Sequence, residues 1–102
     1  MVEGTVRVLR NPSEAADLQP GEFLVTTATN IGWTMVFAKA AAIITDIGAP
    51  LSHAAIVARE FGIPAVVGCG NATELLSTGD RVRVDGSTGV VEVIFRPARL
   101  HD

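Results

Sequence analysis

The sequence predicts an α/β domain built on a mixed sheet with short helices. Three observations carry that prediction. Apolar runs of four or five residues alternate with helix-like stretches, as crossover connections require. A hairpin signal, Asp85-Gly86-Ser87-Thr88-Gly89, separates two alternating runs near the end of the chain. At 102 residues, 48% of them hydrophobic, the chain has material for one core and one domain.

Thr5–Leu9 alternates and reads as the first strand. Asn11-Pro12-Ser13-Glu14 breaks it. Gln19-Pro20-Gly21 signals a turn, and Phe23–Thr27 reads as a second strand. Trp33–Ala40 is expected to be a short helix, and Ala42–Thr45 a buried strand ending at Asp46. Gly48–Pro50 reads as a loop. Ser52–Phe61 is predicted as the second helix, with Ser52 as N-cap, Gly62 as C-cap and Pro64 barring continuation. On its wheel Ala54, Ala55, Val57, Ala58 and Phe61 share a broad inner face; His53, Arg59 and Glu60 lie opposite, with Ile56 among them. Ile63–Val67 is a strand and Ala72–Leu76 a short helix. Arg81–Val84 and Val90–Ile94 form the hairpin, with Val82 and Val84 inward and the arginines outward. The predicted order is therefore β, β, α, β, α, β, α, β, β. Trp33, Phe37 and Phe61 are expected in the core. Residues 1–102 are read as one domain, with 96–102 a polar tail containing His101.

The composition excludes several functions. The net charge of −3 leaves no basic stripe for a nucleic acid. The longest uncharged stretch, Phe23–Ala38, contains four threonines and an asparagine and falls short of the roughly 20 apolar residues that span a bilayer. Charged side chains among the first twenty residues are unlike a signal peptide. Cys69 is the single cysteine, so no internal disulfide forms. A cytoplasmic location is the expectation. Asp46, His53 and Asp85 match no recognised metal-ligand spacing, so no metal is expected. Gly68-Cys69-Gly70 is too short for a phosphate loop and reads as a turn.

The most informative segment is Gly48–Gly68. It places His53 at the start of an apolar helix, just after a Gly/Pro loop. A helix N-terminus carries unpaired N–H groups and partial positive charge, which favour a bound anion such as phosphate. Imidazole, with an ordinary pKa of about 6.5, is largely neutral and nucleophilic at pH 7. A histidine in that place suits acceptance and release of a phosphoryl group. Ser52 is a cap that can also touch phosphate, Thr34 a polar neighbour across the loop, and Gly48 the residue that lets the backbone turn tightly beside the site. Arg59 can neutralise phosphate, although it lies nearly two helical turns away and suits a structural ion pair equally well. Cys69 offers a thiol, but no third group is seen to orient it, and small buried cysteines are common.

Ile44–Gly68 closely resembles the phosphohistidine, or swivelling, domain of phosphoenolpyruvate-utilising enzymes. The matching residues are Thr45-Asp46, Gly48, Ser52-His53-Ala54-Ala55, Ala58-Arg59-Glu60 and Gly62-Ile63-Pro64-Ala65-Val66-Val67-Gly68. Pro20-Gly21, Trp33-Thr34, Gly79-Asp80 and Val84-Asp85-Gly86 extend the likeness over nearly the whole chain. The resemblance implies a swivelling β/β/α fold. It also implies that His53 is phosphorylated and dephosphorylated in each cycle, shuttling between a nucleotide-binding (ATP-grasp-type) domain and a second domain that binds phosphoenolpyruvate and pyruvate or another acceptor. ATP and Mg then belong to those partner domains, and this domain binds no cofactor itself. Ala49, Leu51 and Asn30-Ile31 stand where many members have glycine, threonine and Asp-Pro. Leu51-Ser52-His53 looks closer to proteins like rifampicin phosphotransferase and phosphoenolpyruvate synthase than to enzyme I. The rival reading is a non-catalytic module that keeps the fold and docks a partner through Gly48–His53.

Overall fold

The computed structural model describes residues 1–49 and 52–97; Pro50, Leu51 and the segment 98–102 with His101 lie outside the described residues. Among the described residues the strands are β1 (Val2–Val8), β2 (Phe23–Thr26), β3 (Ala42–Thr45), β4 (Ala65–Val66), β5 (Arg81–Asp85) and β6 (Val90–Phe95). The α-helices are α1 (Thr34–Phe37), α2 (His53–Phe61) and α3 (Ala72–Leu75), with 3-10 turns at Pro12–Asp17 and Ile31–Trp33. The six-stranded sheet has the order β4-β3-β2-β1-β5-β6. Pairings from β1 through β2 and β3 to β4 are parallel, and those of β1 with β5 and β5 with β6 are antiparallel.

β1 serves both halves of this mixed sheet. Val2–Thr5 pair with β5, and Val6–Val8 pair with β2. Near that junction a Cβ on Gly4 would stand 2.5 Å from the Phe23 ring, so the ring occupies space that only glycine leaves open. One core cluster joins Val25, Ile44 and Val66 of the parallel half to Val82 and Val84 of the antiparallel half, with Ala72 and Leu76 beside them. The two halves therefore face each other across it. A second cluster lies on the other face of the parallel half, where Leu24 and Ile43 meet Trp33, Val36, Phe37, Ala54 and Ala58. The layers are β, β and α. Successive residues of β2 and β3 point into different clusters, so both strands are buried on two faces and are apolar along most of their length.

The element order follows the prediction, and the departures have local causes. β1 begins at Val2 rather than Thr5 because β5 pairs with its first half. Residues 12–17, expected only as a break, form a 3-10 turn. Asn11 accepts the Ser13 N–H (3.1 Å), and Glu14 reaches back to the Asn11 N–H (3.1 Å). The helix expected over Trp33–Ala40 keeps only Thr34–Phe37, because Lys39 and Ala40 bond three residues back and the Lys39 carbonyl accepts from Gly21. β4 shrinks to Ala65–Val66, its start delayed by the left-handed Gly62 cap and by Pro64, which has no N–H to donate. Phe61, expected in the core, is 42% exposed at the far end of α2; Trp33 and Phe37 are buried as expected. Val82 and Val84 are fully buried. Arg96 is no tail residue: it pairs with the buried Asp80 carboxylate (2.9 Å) and donates to the Leu75 carbonyl. Among the described residues no helix is long and apolar enough to cross a membrane.

One ion pair makes the fold sensitive to acid. The Arg7 guanidinium meets the Glu22 carboxylate through two bonds of 3.0 and 3.1 Å across the β1–β2 pair. Burial pushes the Glu22 carboxyl up, but the Arg7 hydrogen bonds, the Gln19 N–H and the Arg7 charge together hold it below the ordinary glutamate range. A lowered folded-state pKa supplies stability above the unfolded value and loses it as pH falls. Wild-type stability is thus expected to drop from about pH 5 downward in part through this group. Glu22→Gln is expected to be less stable at pH 7 and to lose less on acidification. Urea unfolding at pH 7 and pH 3.5 checks this; parallel losses in the two proteins would count against it.

Candidate functional site

β2 and β3 run parallel, and the segments leaving their carboxyl ends meet: the Ile47 N–H donates to the Thr27 carbonyl (2.8 Å). Crevices beyond the carboxyl ends of parallel strands are common ligand sites in α/β sheets. α2 starts here with Ser52 at its N-cap. The Ser52 hydroxyl accepts from the Ala55 N–H at 3.5 Å, and its backbone N–H donates to the Ala49 carbonyl at 2.8 Å. Ala54 and Ala58 set α2 against the second cluster, so its first turn is held firmly at the sheet's end.

His53 opens α2 and is partly exposed. Its Nδ1 is 2.8 Å from the Thr29 hydroxyl, and its ring packs T-shaped against the buried Phe37 ring, 5.8 Å between centroids. Two contacts thus fix the imidazole plane. Among the described residues Nε2 makes no hydrogen bond, and no buried side-chain nitrogen there lacks a partner, so Nε2 reaches the surface.

The backbone beneath the site is glycine-dependent at two coupled positions. Gly48 has φ +150°, and a Cβ there would stand 3.1 Å from both the Ser52 hydroxyl and Val67. Gly68 has φ +74°, and a Cβ there would stand 2.7 Å from the Gly48 carbonyl oxygen. The loop before α2 therefore rests directly on the strand exit after β4, in conformations that L side chains rarely adopt.

The other predicted residues divide. Ser52 and Gly48 lie beside His53. Thr34 does not reach it: the Thr34 hydroxyl donates to the Ile31 carbonyl (2.9 Å), and Thr29 is the hydroxyl that holds the imidazole. Arg59 lies in the last turn of α2, exposed, lining a depression with Asp85, Gly86 and Ser87 and making no ion pair among the described residues. Leu51 falls outside the described residues. Asp46 is structural: its carboxylate accepts the Thr73 N–H (3.0 Å) and the Thr73 hydroxyl, pinning the start of α3. Cys69 packs on the opposite core cluster from the one under α2, in an apolar groove with Ala72, Leu76 and Val91. Burial and then the Asp46 charge push its thiol up, which disfavours the reactive thiolate. Among the described residues no cluster of three or more His, Cys, Asp or Glu could hold a metal.

Comparisons with known proteins place this geometry in context. A family model described as the mobile domain of PEP-utilising enzymes matches residues 18–89. The rifampicin phosphotransferase of Bacillus cereus is 46% identical over 94 residues, which cover 92% of this chain and 11% of that protein. The prodigiosin synthesizing transferase PigC of Serratia marcescens is 54% identical over 79 residues, covering 78% of this chain and 9% of that protein. A solution structure of the enzyme I protein nEIt superposes with a TM-score of 0.68 and 36% identity, over 78% of this chain and 33% of that one. The chain spans about a tenth of the length of these two curated relatives. With most of its length matched, from before β2 to the turn that precedes β6, the chain belongs to the mobile-domain family of PEP-utilising enzymes.

Proposed function

We propose that this chain is a phosphoryl carrier that works as a phosphotransferase component, with His53 as the group that is phosphorylated. The observation that carries the reading is the orientation of one ring: Nδ1 is engaged by Thr29, while Nε2, unbonded among the described residues, stands at the surface beside the first turn of α2. In the acceptor state Nδ1–H donates to the Thr29 oxygen and Nε2 presents its lone pair. The Nε2–P bond forms as the bond from phosphorus to the donor's oxygen breaks, and that oxygen keeps the electron pair. Delivery reverses the step onto an acceptor oxygen. Positioning and charge stabilisation dominate such transfers, so one well-held nucleophile is all this domain has to provide.

The N-terminus of α2 favours the resulting dianion through its N–H groups, with Ser52 and Gly48 shaping the approach. In this reading the donor is a nucleotide-binding domain that uses ATP and Mg, and the second partner binds phosphoenolpyruvate, pyruvate or another acceptor. Thr34 closes the turn that carries this loop, and Arg59 serves an interface rather than the phosphate. The test is phosphorylation of the chain by phosphoramidate, then mass-spectrometric mapping of an acid-labile, base-stable adduct. Modification at His53 supports the carrier; a chain that stays unmodified on His53 favours the rival docking module.

Thr29→Val keeps the shape of the side chain and removes the ring's hydrogen bond. Labelling of His53 by phosphoramidate is expected to slow about tenfold or more, as the ring loses its fixed orientation. Thr29→Ser is expected to restore most of the rate. A Thr29→Val chain labelled as fast as wild type would refute a positioning role for this hydroxyl.

A further inference from the structure

The two edges of the sheet are guarded unequally. β4, at one end of the strand order, is two residues long, and the turn between β5 and β6 lies against its entry: a Cβ on Gly86 would stand 3.2 Å from the Pro64 Cβ. Shortness and cover are two ordinary ways of keeping an edge from pairing with another chain. β6, at the other end, has neither. Among the described residues β5 pairs with one side of it and no strand with the other. Its six residues, Val90–Phe95, include no lysine and no proline, the side chains that commonly guard an edge. The irregular register opposite Arg81 and Val82 touches only its far end, and Val90–Val93 pairs with β5 without a break.

The surface along this edge is apolar. Val90 is 54% exposed, Val93 41%, Ile94 39% and Phe95 62%. Leu75 of α3, 61% exposed, lines one groove with Val91 and Val93, so helix and strand edge form a continuous face. At ordinary residue areas the five exposed side chains leave on the order of 500 Å² in water, and the strand's backbone adds to it. A standard interface takes roughly 800 Å² from each partner, so this face supplies much of one. The single charge within Val90–Phe95 is Glu92, and its carboxylate is bonded to Arg83 of the neighbouring β5 (3.3 Å).

Whatever pairs with this edge has to bring an unpaired edge of its own, and a second copy of the chain brings β6 itself. Two β6 strands lying antiparallel about a two-fold axis satisfy both edges at once. A pair centred on Val91 or Val93 also keeps the two Glu92 carboxylates from facing each other, and no like charges oppose the contact. With β4 short and covered, each copy offers one open edge, so association closes at two. We infer that β6 is a dimer interface, at which two copies of this chain join their six-stranded sheets into one and bury Leu75, Val93 and Phe95. The inference goes beyond the carrier reading and does not rest on it. β6 lies past residues 18–89, the stretch that the family model matches, and Val91 packs on the first core cluster, whereas α2 with His53 packs on the second. Both copies therefore keep His53 free.

Sedimentation and hydrogen exchange of the whole chain test this together. From low micromolar concentration to about 0.5 mM, the sedimenting mass is expected to rise from 10.7 kDa toward twice that value. Over the same range amide exchange in Val90–Phe95 is expected to slow about tenfold or more, because the pairing consumes the free N–H groups of β6. Val90→Lys combined with Phe95→Lys is expected to weaken self-association at least tenfold and to leave the melting temperature within a few degrees of wild type. A chain that stays at 10.7 kDa throughout would overturn the interface. So would a dimer whose β6 amides exchange as fast as in the dilute chain, and so would a folded double-lysine variant that dimerises as tightly as wild type. The exchange measurement on the unsubstituted chain decides the matter even if the variant fails to fold. Phosphoramidate labelling of His53 is expected to be the same in monomer and dimer, so its failure would remove the carrier reading and leave the interface standing.

Discussion

His53→Ala is expected to abolish phosphoryl acceptance at this site, a fall of at least ~10³-fold in labelling rate, while leaving the fold nearly untouched. The two halves of that expectation come from the same geometry. His53 is the one side chain at the start of α2 that combines a nucleophilic nitrogen at the surface with a second nitrogen held by a partner. Asp46 is committed to Thr73, and Cys69 lies on the other core cluster. No neighbour can therefore replace the imidazole. The ring is also partly exposed and makes one hydrogen bond and one edge contact, so its loss should cost about 1 kcal/mol or less. For a domain of this size that is a melting-temperature shift of only a few degrees, roughly 4–8 °C per kcal/mol. Thermal unfolding and adduct mapping on the same sample check both parts. Undiminished labelling would remove His53 from the mechanism. A collapse in thermal stability would show the ring to be a core element instead of an exposed nucleophile.

Phe37→Ala is expected to have the largest effect on stability, about 4 kcal/mol, from lost burial and the cavity left behind. Phe37 is 1% exposed and sits where α1, α2 and the sheet converge, with its ring T-shaped against both His53 and Phe61. Domains of this size typically hold about 5–15 kcal/mol in total, so the variant should stand near the limit of folding at 37 °C. Phe37→Leu keeps most of the volume and should cost about 1.5 kcal/mol or less. It nonetheless removes the aromatic ring that backs the imidazole. The leucine variant is thus expected to fold and yet to be labelled more slowly on His53, whereas the alanine variant should lose both properties. Denaturant unfolding followed by phosphoramidate labelling separates the two. A Phe37→Ala protein with wild-type stability would contradict the core assignment. A Phe37→Leu protein labelled at the wild-type rate would show that Thr29 alone orients the ring.

Elements whose causes are local were legible along the chain. Ser52 and Gly62 bracket α2 because a hydroxyl N-cap and a left-handed glycine act within one turn of chain. The Asp85–Gly89 turn and the alternation of Val82 and Val84 set the hairpin for the same reason. His53 was legible because Gly48–Gly68 is a continuous segment. Thr29 was not. It sits in a run of threonines after β2 that offers several hydroxyls of equal promise, and its selection depends on β2 and β3 lying side by side so that their exits meet. Thr34 looked the better neighbour along the chain, but the 3-10 turn at Ile31–Trp33 turns its hydroxyl back to Ile31. Strand order, the double pairing of β1 and the burial of Asp80 under Arg96 are likewise properties of the tertiary structure. Each joins residues far apart along the chain. Propensity and periodicity act over a few residues, whereas these contacts exist only once the sheet has brought the strand ends together.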